Sequence, residues 1–236
     1  MINSYIALDL ETTGLNPSTD RIIEIGAAKV INGTIVSTYS TLVNPQIPIN
    51  FKINKLTGID SKMLENQPLI EDIIEDFVKY TEDMPILGHN IIFDFSFLKK
   101  AAVNNKLTFE KEGIDTLKMA RRMLPHLEHK GLEYLCSYFS IDPQNSHRAM
   151  DDAISAMKVY EKLYELNRKD KGFLETAKLN FSAKRDSTIT PAQNSYLTKL
   201  VIHHSIAMQA EVKSLTKSQA SRMIDNIISE YGKIIS

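Results

Sequence analysis

Four acidic residues from three separate segments are the side chains best able to support chemistry in this sequence. Asp9 and Glu11 alternate by two after the apolar run Ile6-Ala7-Leu8, so in a strand both carboxylates point to one face. Such neighbours repel each other and destabilise a fold unless a cation neutralises them. An isolated pair is usually a solvated strand edge, but the apolar run before this pair and the Thr-Thr-Gly turn after it favour a site.

The other two acidic residues lie at predicted helix starts. Asp94 is flanked by Phe93 and Phe95, where the free amides of a helix N-terminus favour an anion, although simple helix capping is the alternative. Asp151 and Asp152 begin a long predicted helix and face about 100° apart. Asp152 lies beside the apolar face of that helix, which predicts that Asp152 joins the site and Asp151 is solvated.

Hard divalent cations are the partners that this carboxylate set favours. Mg²⁺ and Mn²⁺ prefer carboxylate oxygens, and two such ions about 3.5 to 4 Å apart can hold both the attacking and the leaving oxygen of a phosphodiester. Cysteine and histidine clusters typical of zinc are absent from the sequence. His147 precedes Asp152 by 5 positions; histidine changes protonation near neutral pH, so it can take a proton from water, although a lone histidine is more often a surface or capping residue.

The elements that must position these residues predict an α/β fold. Three β-rich runs open the chain, at 5–10, 22–31 and 34–43, and the Asn32-Gly33 pair between the last two is typical of a hairpin turn. A short buried strand is predicted at 85–88, and helices are predicted at 92–103, 116–123, 132–138 and 149–166. Strands followed by helices alternating with strands indicate a mixed sheet, an antiparallel meander plus parallel strands, flanked by helices.

The end of the chain predicts a small helical hairpin. Thr190 can cap a helix whose first residue is Pro191, and a second helix can start within 214–218. We therefore divide the chain into a main domain (1–168), a linker (169–187) and a helical module (188–236). A contact of the module with nucleic acid or protein is one hypothesis, motivated by its lysines and its detachable position, and a docked stabilising hairpin is the other.

Composition adds two expectations. The net charge of −1 gives no global sign of a polyanionic partner. No apolar run approaches the roughly 20 residues that span a bilayer, and the chain start lacks a basic segment leading into an apolar one, so we expect a cytoplasmic protein without a membrane partner.

Three motifs together resemble those of the DEDDh, or DnaQ-like, exonucleases, a family that includes the proofreading epsilon subunit of bacterial DNA polymerase III. They are Asp9-Leu-Glu-Thr-Thr-Gly14, Asn90-Ile-Ile-Phe-Asp94 and His147-Arg-Ala-Met-Asp-Asp152. The resemblance covers roughly residues 4–166. It implies a ribonuclease-H-like fold and a 3′-to-5′ exonuclease that uses two Mg²⁺ or Mn²⁺ ions and releases nucleoside 5′-monophosphates. It also implies that His147 is the base and that the metals are held by Asp9, Glu11, Asp94 and Asp152.

The same matching suggests how substrate is held. Thr12 and Leu15 would lie at the 3′-terminal nucleotide, with Asn90 and Phe93 lining the site; taken alone, Leu15 is a turn leucine and Phe93 a core residue. The expected substrate is DNA with single-stranded 3′ ends. RNA is the alternative, through an exoribonuclease or oligoribonuclease activity, because the motifs do not read the 2′-hydroxyl.

A different class of function is a non-catalytic nucleic-acid-binding or polymerase-associated module. The intact acidic set argues against it, because a pure binder has no need to gather mutually repelling acids. A DNA polymerase remains a candidate partner, and proofreading, repair and turnover remain open as roles.

Overall fold

A computed structural model describes residues 2–142, 147–166, 176–206, 208 and 211–234. Its six-stranded sheet has the order β3-β2-β1-β4-β5-β6. The strands are β1 (Tyr5–Thr12), β2 (Ile22–Ile31), β3 (Thr34–Leu42), β4 (Ile86–Gly88), β5 (Glu112–Asp115) and β6 (Ala177–Lys178). The helices are α1 (Phe51–Thr57), α2 (Ser61–Leu64), α3 (Ile70–Thr81), α4 (Ile92–Asn104), α5 (Thr116–Met123), α6 (Leu132–Tyr138), α7 (Ala149–Leu166), α8 (Pro191–His203) and α9 (Lys217–Tyr231).

The sheet is mixed, which confirms the predicted α/β, ribonuclease-H-like fold class. Strand β1 pairs antiparallel with β2 and parallel with β4, and β4 pairs parallel with β5. Strands β2 and β3 form the predicted hairpin, in which Asn32 and Gly33 both have positive φ, of 51° and 77°. This is the backbone that a two-residue hairpin turn requires.

Both faces of the sheet are covered, which explains the unbroken apolar run at the start of β1. Tyr5 and Ala7 pack with residues of α5, α6 and α7 on one face, whereas Ile6 and Leu8 pack with residues of α3 and α4 on the other. A strand buried on both faces is apolar at successive positions rather than alternate ones. Asp9 and Glu11 continue the Tyr5 and Ala7 face, so the strand aims them toward α7.

The C-terminal part of the chain is docked on the main domain. Residues 169–175 of the predicted linker lie outside the described residues. Beyond them, β6 pairs antiparallel with β5, and Leu179 is buried among core residues. Asp186 then forms an ion pair of 2.6 Å with Lys100 and a hydrogen bond of 3.0 Å with Asn104. The second half of the predicted linker is thus held against the sheet and α4.

Helices α8 and α9 form a small hairpin with its own apolar core, and α8 starts with the predicted Thr190 cap. The division at 168 and 188 stays a prediction. Within the described ranges, no helix combines the length and the apolar character needed to cross a bilayer.

Candidate active site

The carboxyl end of β1 brings the first two predicted ligands to the start of α7. Burial raises the pKa of Asp9 well above its ordinary value, and the nearby charges of Asp94, Asp152 and Glu11 raise it further. This mutual effect means that the four carboxylates, which come from β1, α4 and α7, share one electrostatic environment. The structure therefore brings together the acidic residues that the sequence singled out.

Glu11, His147 and Asp152 form the tightest group. Each offers one potential ligand atom, and these atoms all lie within 4.8 Å of one another. Burial, followed by the charge of Asp152, raises the pKa of Glu11 to about 8. Burial also raises the pKa of Asp152, although the backbone N–H of His147 donates to Asp152 Oδ2 at 3.1 Å and opposes that shift.

Asp94 ties α4 to the end of β1. Its Oδ1 accepts a hydrogen bond of 3.0 Å from the backbone N–H of Leu10, and its side chain is buried. Burial raises the pKa of Asp94 to about 8 even though this bond and the first turn of the helix favour its charged form. Helix α4 thus places a third carboxylate in the environment of Asp9. No basic side chain is among the causes of the pKa shift of Asp94.

The donor set fits hard divalent cations. All four carboxylates have a raised pKa with burial as the largest cause, so their ionised forms lack sufficient compensating positive charge. Carboxylate oxygens are the ligands that Mg²⁺ and Mn²⁺ prefer.

An ion pair between the buried Glu24 and the partly exposed Arg148, which the sequence reasoning missed, supports the start of α7. Glu24, opposite Glu11 in the strand register, accepts from Arg148 Nη2 at 2.7 Å and from the backbone N–H of Ala149 at 3.2 Å. Arg148 directly follows His147, so Glu24 fixes the segment that carries the predicted base. The signal in the sequence is a lone acid inside the apolar run Ile22–Ile25.

Gly26 is a second residue that the reasoning missed. It lies opposite Asp9, and a Cβ at Gly26 would come within 2.2 Å of the backbone of Ala149 and Met150. Only glycine allows the first turn of α7 to lie this close to β2, which brings Asp152 toward β1. A glycine in the interior of a strand is the signal for such a close approach.

The cleft beside the acidic group has a volume of about 630 Å³. Its lining includes Asp9, His147 and Asp152 of the predicted residues, together with Lys130 and Tyr134 from the α5–α6 connection and α6.

The four predicted substrate residues lie on the segments that carry Glu11 and Asp94, and none of them is among the residues that line the cleft. The buried Thr12 donates its hydroxyl to Gly14 O at 2.7 Å, so it shapes the turn after β1, and Leu15 is 84% exposed at that turn. Asn90 is exposed and has a φ of 71°, and Phe93 packs its ring against Phe97 at 5.0 Å between centroids. Their contact with a nucleotide stays a prediction.

Comparisons with known proteins agree with the motifs. The RNase T family model, described as an exonuclease, matches residues 6–160. A PolC-type DNA polymerase III of Caldanaerobacter subterraneus subsp. tengcongensis is 40% identical over 161 residues, which cover 68% of this chain and 12% of the relative. The DNA polymerase III subunit epsilon of Aquifex aeolicus is 32% identical over 163 residues, covering 69% of this chain and 81% of the relative.

Two solved structures share the fold. Exonuclease X in complex with 5′ overhanging duplex DNA superposes with a TM-score of 0.55 and 26% identity, covering 72% of this chain and 95% of that one. The nuclease domain of 3′hExo, a DEDDh family member bound to rAMP, has a TM-score of 0.62 at 16% identity, covering 75% of this chain and 98% of that one. The matched part of this chain spans only 11 to 16% of the length of the PolC-type DNA polymerase III relatives.

Proposed function

The chain belongs to the RNase T exonuclease family and is a DnaQ-like exonuclease, and from this membership we propose that it hydrolyses DNA from the 3′ end, with single-stranded ends preferred. The observation that carries the proposal is the grouping of four carboxylates with raised pKa beside His147. Such a group is destabilising in the absence of metal, so its presence is best explained by the ions it would bind.

We assign the metal-binding role to Asp9, Glu11, Asp94 and Asp152. When bound, two Mg²⁺ or Mn²⁺ ions would supply electrostatic stabilisation of the charge that develops on the phosphate. The carboxylates themselves fix where that positive charge is held, because each comes from a rigid strand or helix.

His147 is assigned as the general base. A water oxygen attacks the terminal phosphorus while His147 takes a proton from that water. The bond from phosphorus to the 3′ oxygen of the preceding nucleotide breaks, that oxygen takes a proton from solvent to become the new 3′-hydroxyl, and a nucleoside 5′-monophosphate leaves. The backbone of His147 has a φ of 64°, a conformation uncommon outside glycine, and the hydrogen bond from its N–H to Asp152 holds it there.

Thr12, Leu15, Asn90 and Phe93 are assigned to the 3′-terminal nucleotide. Leu15 offers an exposed apolar surface to a base, and the Phe93 ring offers a face for stacking. The names of the relatives support a DNA polymerase as partner and a role in DNA replication, and we place that role in the cytoplasm as part of the proposal.

The direct test uses DNA and RNA strands of one sequence, each labelled at the 5′ or the 3′ end. Wild-type protein with Mg²⁺ or Mn²⁺ should shorten 5′-labelled DNA stepwise and release the 3′ label at once as a mononucleotide. Asp9→Ala should lose the activity, whereas Asp151→Asn, which changes the neighbouring acid outside the group, should retain it. Equal activity of Asp9→Ala, or inactivity of the wild type with both metals, would refute the proposal, and faster cleavage of RNA would reverse the substrate preference.

A further inference from the structure

The C-terminal module touches the main domain at the loop that leaves the candidate active site. Arg222, on α9, donates from Nη1 to Thr19 Oγ1 at 2.6 Å and to Asp20 Oδ2 at 2.8 Å. The Asp20 side chain is 3% exposed and that of Arg222 is 42% exposed. The guanidinium therefore covers a buried carboxylate of the β1–β2 loop, residues 13–21, from outside.

Asp20 is the centre of the β1–β2 loop. Its Oδ2 also accepts from the backbone N–H of Asn16 at 2.8 Å, and Asn16 O accepts from the N–H groups of Thr19 and Asp20 at 3.0 and 2.7 Å. A Cβ at Gly14 would lie only 2.6 Å from the Asp20 carboxylate, so the two ends of the loop pack closely around that carboxylate. One carboxylate thus holds both sides of the loop.

The β1–β2 loop continues directly from the acidic end of β1. Thr13 and Arg21 join its base, because Thr13 N–H donates to Arg21 O at 2.8 Å and Arg21 N–H donates to Thr13 Oγ1 at 2.9 Å. Leu15 lies near its tip and is 84% exposed. The position of this leucine relative to Glu11 therefore depends on how well the loop is held.

We propose that Arg222 is a positioning residue through which the C-terminal module orders the β1–β2 loop for the terminal nucleotide. A buried carboxylate without a cation is costly, so loss of Arg222 weakens the hydrogen bonds that Asp20 makes within the loop. An ordered loop binds its ligand without a further entropic cost, and a loosened one binds more weakly. The proposal rests on the proposed exonuclease function, and it gives the C-terminal module a role in substrate binding through the β1–β2 loop.

The end of the linker is anchored to the main domain and to the module by contacts that do not involve Arg222. Asp186 is anchored to Lys100 and Asn104, and the N–H of Lys217 donates to Ser187 O at 2.9 Å. These contacts remain when Arg222 is replaced. The Arg222→Ala protein should therefore fold with the module in place.

The experiment compares wild type, Arg222→Ala, Arg222→Lys and Lys199→Ala in the full chain. Lys199 is an exposed module residue, so its variant controls for loss of positive charge. For Arg222→Ala on a single-stranded DNA 3′ end, we expect KM to rise about fivefold to tenfold with kcat within about twofold, since the metal ligands are unchanged. Arg222→Lys should restore much of the wild-type KM because one nitrogen makes both contacts, and Lys199→Ala should match the wild type.

A second readout does not depend on catalysis. Hydrogen exchange of the amides of Asn16, Thr19 and Asp20 should be about tenfold faster in Arg222→Ala than in wild type, because these amides are bonded within the loop. Unchanged exchange would overturn the ordering of the loop, and faster exchange with an unchanged KM would overturn its role in substrate binding. If the wild type proves not to be a nuclease, the exchange comparison still decides whether Arg222 orders the loop.

Discussion

Replacement of Gly26 by alanine should separate α7 from β2 and so disable the acidic site. The added Cβ would lie 2.2 Å from the backbone of Ala149 and Met150, whereas ordinary contact begins at 3.4 Å, so the start of α7 must move by about 1 Å. Crowding of this kind costs about 1 to 3 kcal/mol, and about 1 kcal/mol lowers Tm by roughly 2 to 4 °C in a chain of this size. A displacement of about 1 Å at a catalytic group can reduce kcat about 100-fold, and α7 carries Asp152.

The assay is a thermal melt together with kcat on labelled single-stranded DNA at saturating Mg²⁺. Gly113→Ala is the matched control, because its Cβ would lie 2.7 Å from the side chain of Leu179, where β5 meets the C-terminal segment. We expect Gly113→Ala to lower Tm but to retain kcat per folded molecule. Wild-type kcat in Gly26→Ala, or an equal loss of kcat in both variants, would refute the reasoning.

Three further predictions concern charged groups. Glu24→Gln keeps the size of the side chain but removes the charge that holds Arg148, so kcat should fall about tenfold with little change in KM; an unchanged kcat in steady-state assays would contradict this. In metal-free buffer, Glu11 has its pKa raised from 4.5 to about 8, so the stability it contributes at low pH is lost as the pH rises through about 8. Urea melts in EDTA at pH 5, 7 and 9 should show this loss of stability, and Glu11→Gln should make the stability depend less on pH. Added Mg²⁺ should oppose the loss at high pH. The same pH dependence in the wild type and in Glu11→Gln would contradict the prediction. Lys100→Met leaves the largely covered Asp186 without its cation and should lower the free energy of unfolding by about 3 kcal/mol in urea melts, with part regained on the further change Asp186→Leu. Full stability of the single variant would show that the pair contributes nothing.

Local patterns were sufficient to predict much of the fold. The hairpin turn at Asn32-Gly33 and the bounds of α6 and α7 are confirmed. The choice of Asp152 over Asp151 agrees with the grouping of Asp152 with Glu11 and His147. These features depend on spacing along a single element, so the sequence carries them directly.

Long-range pairings were not accessible in the same way. Strand β6 has two residues and exists because it pairs with β5, which lies more than 60 positions earlier. In the sequence, Glu24 is an isolated charge in an apolar run and Asp20 is an ordinary loop acid. Only the structure shows that Arg148 pairs with Glu24 and that Arg222 pairs with Asp20. In each case one member of the pair gives no sign of which distant residue is its partner.

The position of Asp152 at the start of α7 also bears on the order in which a growing chain assembles. The hairpin of β1 and β2 can form once residues 5–31 have been made, with Asp9 and Glu11 already on one face of β1. Asp94 follows much later, and α7 is the last helix of the matched region to leave the ribosome. Tyr160 on that helix then bonds to both the N–H and the carbonyl of Ile2, at 3.2 and 3.1 Å. A growing chain therefore lacks the complete set of acids until α7 has been made, and the same helix then packs against the segment that leads into β1.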